Sequence, residues 1–95
     1  MKVKYFDLKN KRVFISGGGS GIGATIVEHF CEQNSEVYFI DINIKASKKL
    51  LKIIKKKKLR SPTFIECNIL DIKKLQNIIK DIINKKGPIH CLINS

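Results

Sequence analysis

Several features are absent from this 95-residue sequence. No run approaches the ~20 apolar residues of a membrane span, and the N-terminus lacks the long apolar core of a signal peptide. The three cysteines, Cys31, Cys67 and Cys91, include no Cys-x-x-Cys pair, and neither His29 nor His90 has a ligand-like spacing to them. We therefore expect no disulfide framework and no metal site, but buried free thiols in a cytoplasmic protein.

Acidic residues, arginines and aromatic rings are also scarce. Lysine and arginine together number 19 against 8 aspartates and glutamates, which gives a formal net charge of +11. Such a charge fits binding to nucleic acid or to an anionic membrane. Arg12 and Arg60 are the only arginines, however, and aromatic rings do not interleave with the lysines as a stacking surface requires. We expect the lysines, including the run at 55–58, to lie on solvated helix faces, with nucleic-acid binding as an alternative.

The most informative stretch is residues 14–23, which read FISGGGSGIG. An apolar run, a cluster of glycines and an amphipathic pattern from Ile22 predict a buried strand, a tight turn and a helix start. Glycine lets a dinucleotide pyrophosphate approach the backbone, and the free amides of a helix N-terminus bind the anion. Because no Gly-Lys-Ser/Thr follows, a Walker-type phosphate loop is excluded. The stretch predicts a dinucleotide site rather than a merely flexible turn.

Strand and helix patterns alternate along the rest of the chain. Strands are expected at residues 12–16, 36–40, 63–67 and 89–93, and helices at 21–33, 44–57 and 72–85. Four residues are placed to begin or end these helices: Ser20, Asn34, Asp71 and Gly87. Apolar stripes that include Ile22 on the first helix and Ile83 on the third are expected to face the sheet. The alternation predicts an α/β fold, one Rossmann-like domain over residues 1–95 with a parallel sheet of order 3-2-1-4 and flanking helices.

Asp41 follows the second strand, close to the spacing of ~20 residues beyond the glycines at which an acid binds the adenosine ribose. A carboxylate there accepts hydrogen bonds from the ribose hydroxyls and repels a 2′-phosphate. No basic residue lies at Ser20 or beside it to receive such a phosphate. The sequence therefore predicts NAD in preference to NADP, against the alternative that Asp41 is an acidic loop residue without a ligand.

These features resemble the short-chain dehydrogenase/reductase family over about residues 6–95. The family opens with Thr-Gly-x-x-x-Gly-Ile-Gly, and here Ser16 replaces the threonine. Asn68-Ile69 stands where the family often has Asp-Val, and Leu92-Ile93-Asn94 matches a motif that continues Asn-Ala-Gly, from which Ser95 departs. The resemblance implies that nine residues line the cofactor: Gly17, Ser20, Gly21, Ile22, Gly23, Asp41, Asn68, Ile69 and Asn94.

The resemblance also implies an NAD(P)-dependent oxidoreductase that passes hydride between a nicotinamide and a carbonyl or secondary alcohol. In that family, a serine and a Tyr-x-x-x-Lys pair beyond the matched region carry out the proton chemistry. The spacing Tyr5 to Lys9 fits the pair, but it precedes the first strand, at the end of the sheet opposite the ligand crevice. No catalytic residue is therefore assigned. We expect the cofactor-binding portion of a longer enzyme, inactive alone, whose small-molecule substrate and homo-oligomer contacts belong to the full-length form; a stand-alone nucleotide-binding module is the alternative.

Overall fold

The computed structural model describes residues 8–95, so Tyr5 of the Tyr5–Lys9 spacing lies outside the described residues. Four strands and three helices alternate: β1 (Arg12–Ser16), α1 (Gly21–Glu32), β2 (Glu36–Asp41), α2 (Ile44–Lys56), β3 (Thr63–Glu66), α3 (Ile72–Lys86) and β4 (Cys91–Asn94). All neighbouring strands pair in parallel, and their order is β3-β2-β1-β4. The predicted Rossmann-like α/β sheet is confirmed.

The sheet is covered by helices on both faces, which explains why the centre of β1 is apolar without alternation. Val13 and Ile15 point to the face packed by α1 and α2, together with Val27 and Ile54. Phe14 points to the other face, which α3 covers. β1 and β2 are thereby buried on both sides, and their C-terminal ends lie side by side at one edge of the molecule.

The helix ends follow the predicted signals in most places. Asp71 caps α3 by accepting a hydrogen bond from the Lys74 amide at 3.2 Å, and Asn34 adopts the left-handed conformation (φ 64°) just beyond α1. The start of β4 was predicted too early, since it begins at Cys91. His90 instead exchanges two hydrogen bonds with the first residue of β1: the Arg12 amide donates to His90 Nδ1, and the His90 amide donates to the Arg12 carbonyl.

Two predicted apolar stripes are narrower than expected. Ile22 is 79 % exposed, because the neighbouring Gly23, with no side chain, is the first-turn residue that packs against the chain after β1. Ile83 is 43 % exposed, whereas the adjacent Ile82 is buried on the sheet. On these two helices, the apolar face that packs on the sheet therefore leaves out Ile22 and part of Ile83.

The expectation of three buried thiols holds for Cys31 and Cys67 but is wrong for Cys91, which is only partly buried. Among the described residues, β4 pairs with β1 alone, so its outer edge is uncovered. Leu92, beside Cys91 on that strand, is 67 % exposed. No helix within residues 8–95 is long and apolar enough to cross a bilayer.

Candidate functional site

The glycine stretch forms a bend at the C-terminal end of β1, beside the end of β2. The amides of Gly17 and Gly18 both donate to the Ile40 carbonyl, at 2.9 and 3.2 Å. Gly17 (φ 71°) and Gly21 (φ 57°) occupy the left-handed region, which favours glycine. The bend is therefore tied to β2 at one end and turns sharply into α1 at the other.

The remaining bend glycines are required by space. A Cβ on Gly18 would lie 2.7 Å from Phe39 Cβ and 2.8 Å from Val27 Cγ2. A Cβ on Gly23 would overlap the carbonyl oxygen of Gly17. The bend and the first turn of α1 thus pack backbone against backbone, as in sites where a pyrophosphate lies along the chain.

Asp41 lies in direct contact with this bend. Its Oδ2 accepts a hydrogen bond from the Gly19 amide at 2.9 Å, and its Oδ1 accepts one from the Asn43 amide at 2.8 Å. Two backbone donors therefore fix the orientation of the carboxylate. Because a carboxylate has about four acceptor positions, each oxygen can still accept a hydrogen bond from a ligand. The structure brings together the two features that the sequence predicted separately.

Ser20 stands at the N-cap position of α1 with an extended backbone, as predicted. Within the described part of the chain, however, its side chain makes no capping hydrogen bond, so the predicted cap is wrong in that respect. The amides of residues 21–23 have no acceptor inside the helix. Since the Ser20 side chain does not cap them and the Ile22 side chain is exposed, this first turn presents amides and the positive end of a helix dipole to an anion.

A cavity of about 120 Å³ opens beside Asp41 at the ends of β2 and β3. Seven residues line it: Gly17, Ile40, Asp41, Ile42, Cys67, Asn68 and Ile69. The exposed side chains of Ile42 and Ile69 provide apolar surface, and Asn68 provides an amide group. Asn68 Oδ1 accepts from the Leu70 amide at 2.9 Å, which anchors this part of the wall. Sequence reasoning missed Ile42, although an isoleucine directly after Asp41 in a polar loop was a signal.

Asn94, at the end of β4, reaches the same edge of the sheet through Ser16. Its Oδ1 accepts a hydrogen bond from the Ser16 hydroxyl at 2.6 Å. The Ser95 hydroxyl lies 3.0 Å from the Ser16 carbonyl and 3.1 Å from that of Gly17. Sequence reasoning gave neither serine a structural role here. Together these contacts hold β4 against the start of the bend and place all nine predicted residues at one end of the sheet.

Glu36 and Tyr38, whose pKa values are shifted, interact with each other near the opposite end of the sheet. Burial raises the pKa of Glu36, but hydrogen bonds from Arg12 and Tyr38 and the charges of Arg12 and Arg60 lower it overall. Burial and the Glu36 carboxylate raise the pKa of Tyr38. Arg12 Nε lies 2.6 Å from Glu36 Oε2 at the first residues of β1 and β2. This cluster ties the strands together far from the glycine bend.

Comparison with known proteins identifies relatives that match nearly all of the described residues. A family model described as "short chain dehydrogenase" matches residues 11–95. The probable galactose dehydrogenase GalD of Rhizobium meliloti is 32 % identical over 89 residues, which are 94 % of this chain and 35 % of that protein. The chain spans about a third of the length of the curated relatives it matches.

Two solved structures show the same fold. The citronellol catabolism dehydrogenase AtuB of Pseudomonas aeruginosa superposes with a TM-score of 0.81 at 22 % identity, covering 90 % of this chain and 36 % of that one. A putative D-mannonate oxidoreductase from Haemophilus influenza, solved with bound NAD, superposes with a TM-score of 0.75 at 20 % identity, covering 90 % and 30 %.

Proposed function

We propose that this chain, which belongs to the short-chain dehydrogenase family, binds the adenosine diphosphate part of a nicotinamide dinucleotide at the glycine bend. The observation that carries the proposal is the contact between the Gly19 amide and the Asp41 carboxylate. The contact supports the proposal because it joins a helix start suited to an anion and an acid suited to a ribose. A structural neighbour was solved with bound NAD, which supports a nicotinamide dinucleotide as the ligand proposed here.

The donors and acceptors of the site fit the parts of that ligand in order. The amides of residues 21–23 suit the diphosphate, with Gly17 and Ser20 beside them in the bend. The Asp41 carboxylate suits the two hydroxyls of the adenosine ribose. The cavity beside it, with Asn68 and Ile69 in its wall, suits the adenine. Ile22 and Asn94 would border the ligand towards its nicotinamide end.

NAD is proposed in preference to NADP because of the charge at Asp41. Among the described residues, none of those lining the cavity is basic. A 2′-phosphate would therefore meet a carboxylate without a cation from the cavity wall to compensate it. Two like unit charges at 4 Å repel by about 1 kcal/mol in water and about 4 kcal/mol at a partly shielded protein surface. The preference would be lost if the Asp41 charge were removed.

When bound, the nicotinamide supplies a hydride to a carbonyl or accepts one from a secondary alcohol, and this is the activity we propose for the whole protein. The residues described here hold and orient the cofactor. We place the protein in the cytoplasm, since Cys31 and Cys67 are buried free thiols within the described range. We also propose that residues 1–95 belong to one domain. The full-length form would bind a small-molecule substrate and make homo-oligomer contacts.

The proposal is tested by titrating NAD and NADP into the chain and into Asp41→Asn, with Asp81→Asn as the matched control. Asp81 is also a carboxylate, but it is exposed on α3 and pairs with Lys85. We expect Asp41→Asn to weaken NAD binding about 10- to 100-fold, because charge-assisted hydrogen bonds contribute ~1.5–3 kcal/mol, and to abolish the preference over NADP. The control should match the parent chain. A parent chain that binds neither nucleotide, or an unchanged NAD:NADP ratio in Asp41→Asn, would overturn the proposal.

A further inference from the structure

Gly19 is the bend glycine that lies against both Asp41, at the end of β2, and Ser47, in the first turn of α2. It lies outside the left-handed region, so its backbone conformation suits any residue. A Cβ there would nevertheless overlap Ser47 Oγ and lie 3.0 Å from both Cγ and Oδ2 of Asp41. The need for glycine at this position therefore comes from Ser47 and Asp41.

Ser47 is fully buried in the first turn of α2. Its hydroxyl donates to the Asn43 carbonyl at 2.8 Å. Asn43 in turn caps α2 by accepting from the Ala46 amide at 3.0 Å, and its own amide donates to Asp41 Oδ1. A continuous set of contacts thus runs from the start of α2 through Asp41 to the glycine bend. The position of α2 against the bend decides where the Asp41 carboxylate lies.

We propose that Gly19 and Ser47 form a size-matched pair that positions the Asp41 carboxylate and thereby sets the preference for an unphosphorylated ribose. The inference rests on the proposed function and concerns how the same site discriminates between NAD and NADP. Both are positioning residues, since they act on the ligand through Asp41. The space between the bend and α2 accommodates a serine at position 47 only because position 19 has no side chain.

A methyl group at position 19 can be accommodated in three ways. Ser47 Oγ can rotate and give up its bond to the Asn43 carbonyl, the start of α2 can withdraw and carry Asn43 with it, or the Asp41 carboxylate can move and break its bond to the Gly19 amide. The last two displace the carboxylate directly, and the first leaves the methyl group pressing on Asp41 at 3.0 Å. Replacing Ser47 by alanine removes the atom in closest conflict. The remaining contacts at 3.0 Å, both to Asp41, need a shift of only a few tenths of an ångström.

The test compares Gly19→Ala, Ser47→Ala and the double variant with Ser61→Ala, which changes an exposed serine just before β3 and outside the candidate site. NAD and NADP affinities are measured by calorimetry, and the midpoint of thermal unfolding is recorded for each variant. We expect Gly19→Ala to lose about tenfold in NAD affinity with little change for NADP, and to unfold at a lower temperature. The double variant should recover most of both losses. Ser47→Ala alone creates no overlap and should lose less NAD affinity than Gly19→Ala, and Ser61→Ala should stay within about twofold of the parent.

Unchanged NAD discrimination in Gly19→Ala would overturn the inference, as would a loss that Ser47→Ala does not repair. Both results require a parent chain that binds NAD, so they leave the proposed function intact. A parent chain that binds neither nucleotide is the failure of the proposed function. In that case the unfolding midpoints test whether Gly19 and Ser47 are matched in size. The match is wrong if Gly19→Ala unfolds at the same temperature as the parent.

Discussion

A methyl group added at Gly23 is the severest small perturbation that the site offers. Its Cβ would overlap the carbonyl oxygen of Gly17 and lie 2.8 Å from the carbonyl carbon and 2.7 Å from Ser95 Oγ. The main obstacle is backbone, which cannot rotate away as a side chain can. We therefore expect Gly23→Ala to force the first turn of α1 away from the bend.

The size of the effect follows from these distances. Ordinary Cβ contacts begin near 3.4 Å, so the helix must withdraw by about 0.6 Å from the Gly17 carbonyl carbon and further from its oxygen. Overpacking a tight interior costs ~1–3 kcal/mol, and a rigid partner places this case at the upper end. Since small domains have about 5–15 kcal/mol of stability in total, the loss is large. NAD affinity should fall as well, because the first-turn amides move away from the bend.

The matched control is Gly21→Ala, two residues earlier in the same turn. Within the part of the chain that the structure describes, no atom lies within 4 Å of a Cβ built there. Its cost is the strain of a left-handed residue, about 1–2 kcal/mol. Both variants are compared by urea unfolding, followed by circular dichroism, and by NAD titration. Because alanine is the better helix former by ~1 kcal/mol, a Gly23→Ala variant as stable as the parent would refute the packing argument.

Three further predictions concern the frame around the site. Glu36→Gln should cost about 1–3 kcal/mol in urea unfolding, against under ~0.5 for Asp81→Asn in its exposed pair; equal costs would contradict it. The native pKa of Glu36 is lowered below its usual 4.5. The stabilisation by Glu36 is therefore present above pH 4.5 and is lost as the pH falls through the native pKa. The free energy of unfolding of Glu36→Gln should accordingly change less than that of the parent between about pH 5 and 3. Asp71→Ala should cost ~1 kcal/mol by removing the α3 cap, and Asp71→Asn, which keeps the acceptor, should cost less. Thiol labelling of the native chain should reach Cys91 before Cys31, because Cys31 is 2 % exposed and burial raises its pKa to about 12; faster labelling of Cys31 would refute this.

The strand order could be predicted because the signals that determine it are local in the sequence and are compatible with few arrangements of the sheet. The apolar run before Gly17 is buried on both faces, which identifies β1 as a central parallel strand. The strand order expected of a Rossmann-like half, 3-2-1-4, then places β2 and β3 on one side of β1 and β4 on the other. The caps at Asp71 and beyond α1 at Asn34 were also predictable, since they depend on neighbours within a few residues. The start of β4 was not, because His90 bonds to Arg12 from the far end of the sequence.

The details of the site depend on contacts between elements and lie beyond sequence patterns. Ser20 has the right residue type and position for a cap, yet its hydroxyl is not used as one. Ile22 fits the helical period, but the chain after β1 is contacted by Gly23 in the same turn. The bond from the Gly19 amide to Asp41 depends on how the bend lies against the end of β2, where the Gly17 and Gly18 amides bond to the Ile40 carbonyl. Periodicity gives the face of a helix and leaves its distance from the sheet undetermined.

The glycines of the motif therefore have separate physical requirements, and these predict different tolerance to change. Gly17 and Gly21 are required by backbone conformation, so a substitution there costs strain wherever the neighbours lie. Gly23 is required by the backbone of Gly17, which no second substitution can make smaller. Gly19 is required by a side chain, and a side chain can be shortened. Of these four glycines, position 19 is thus the one where we expect a second substitution elsewhere to restore both the fold and the proposed nucleotide preference.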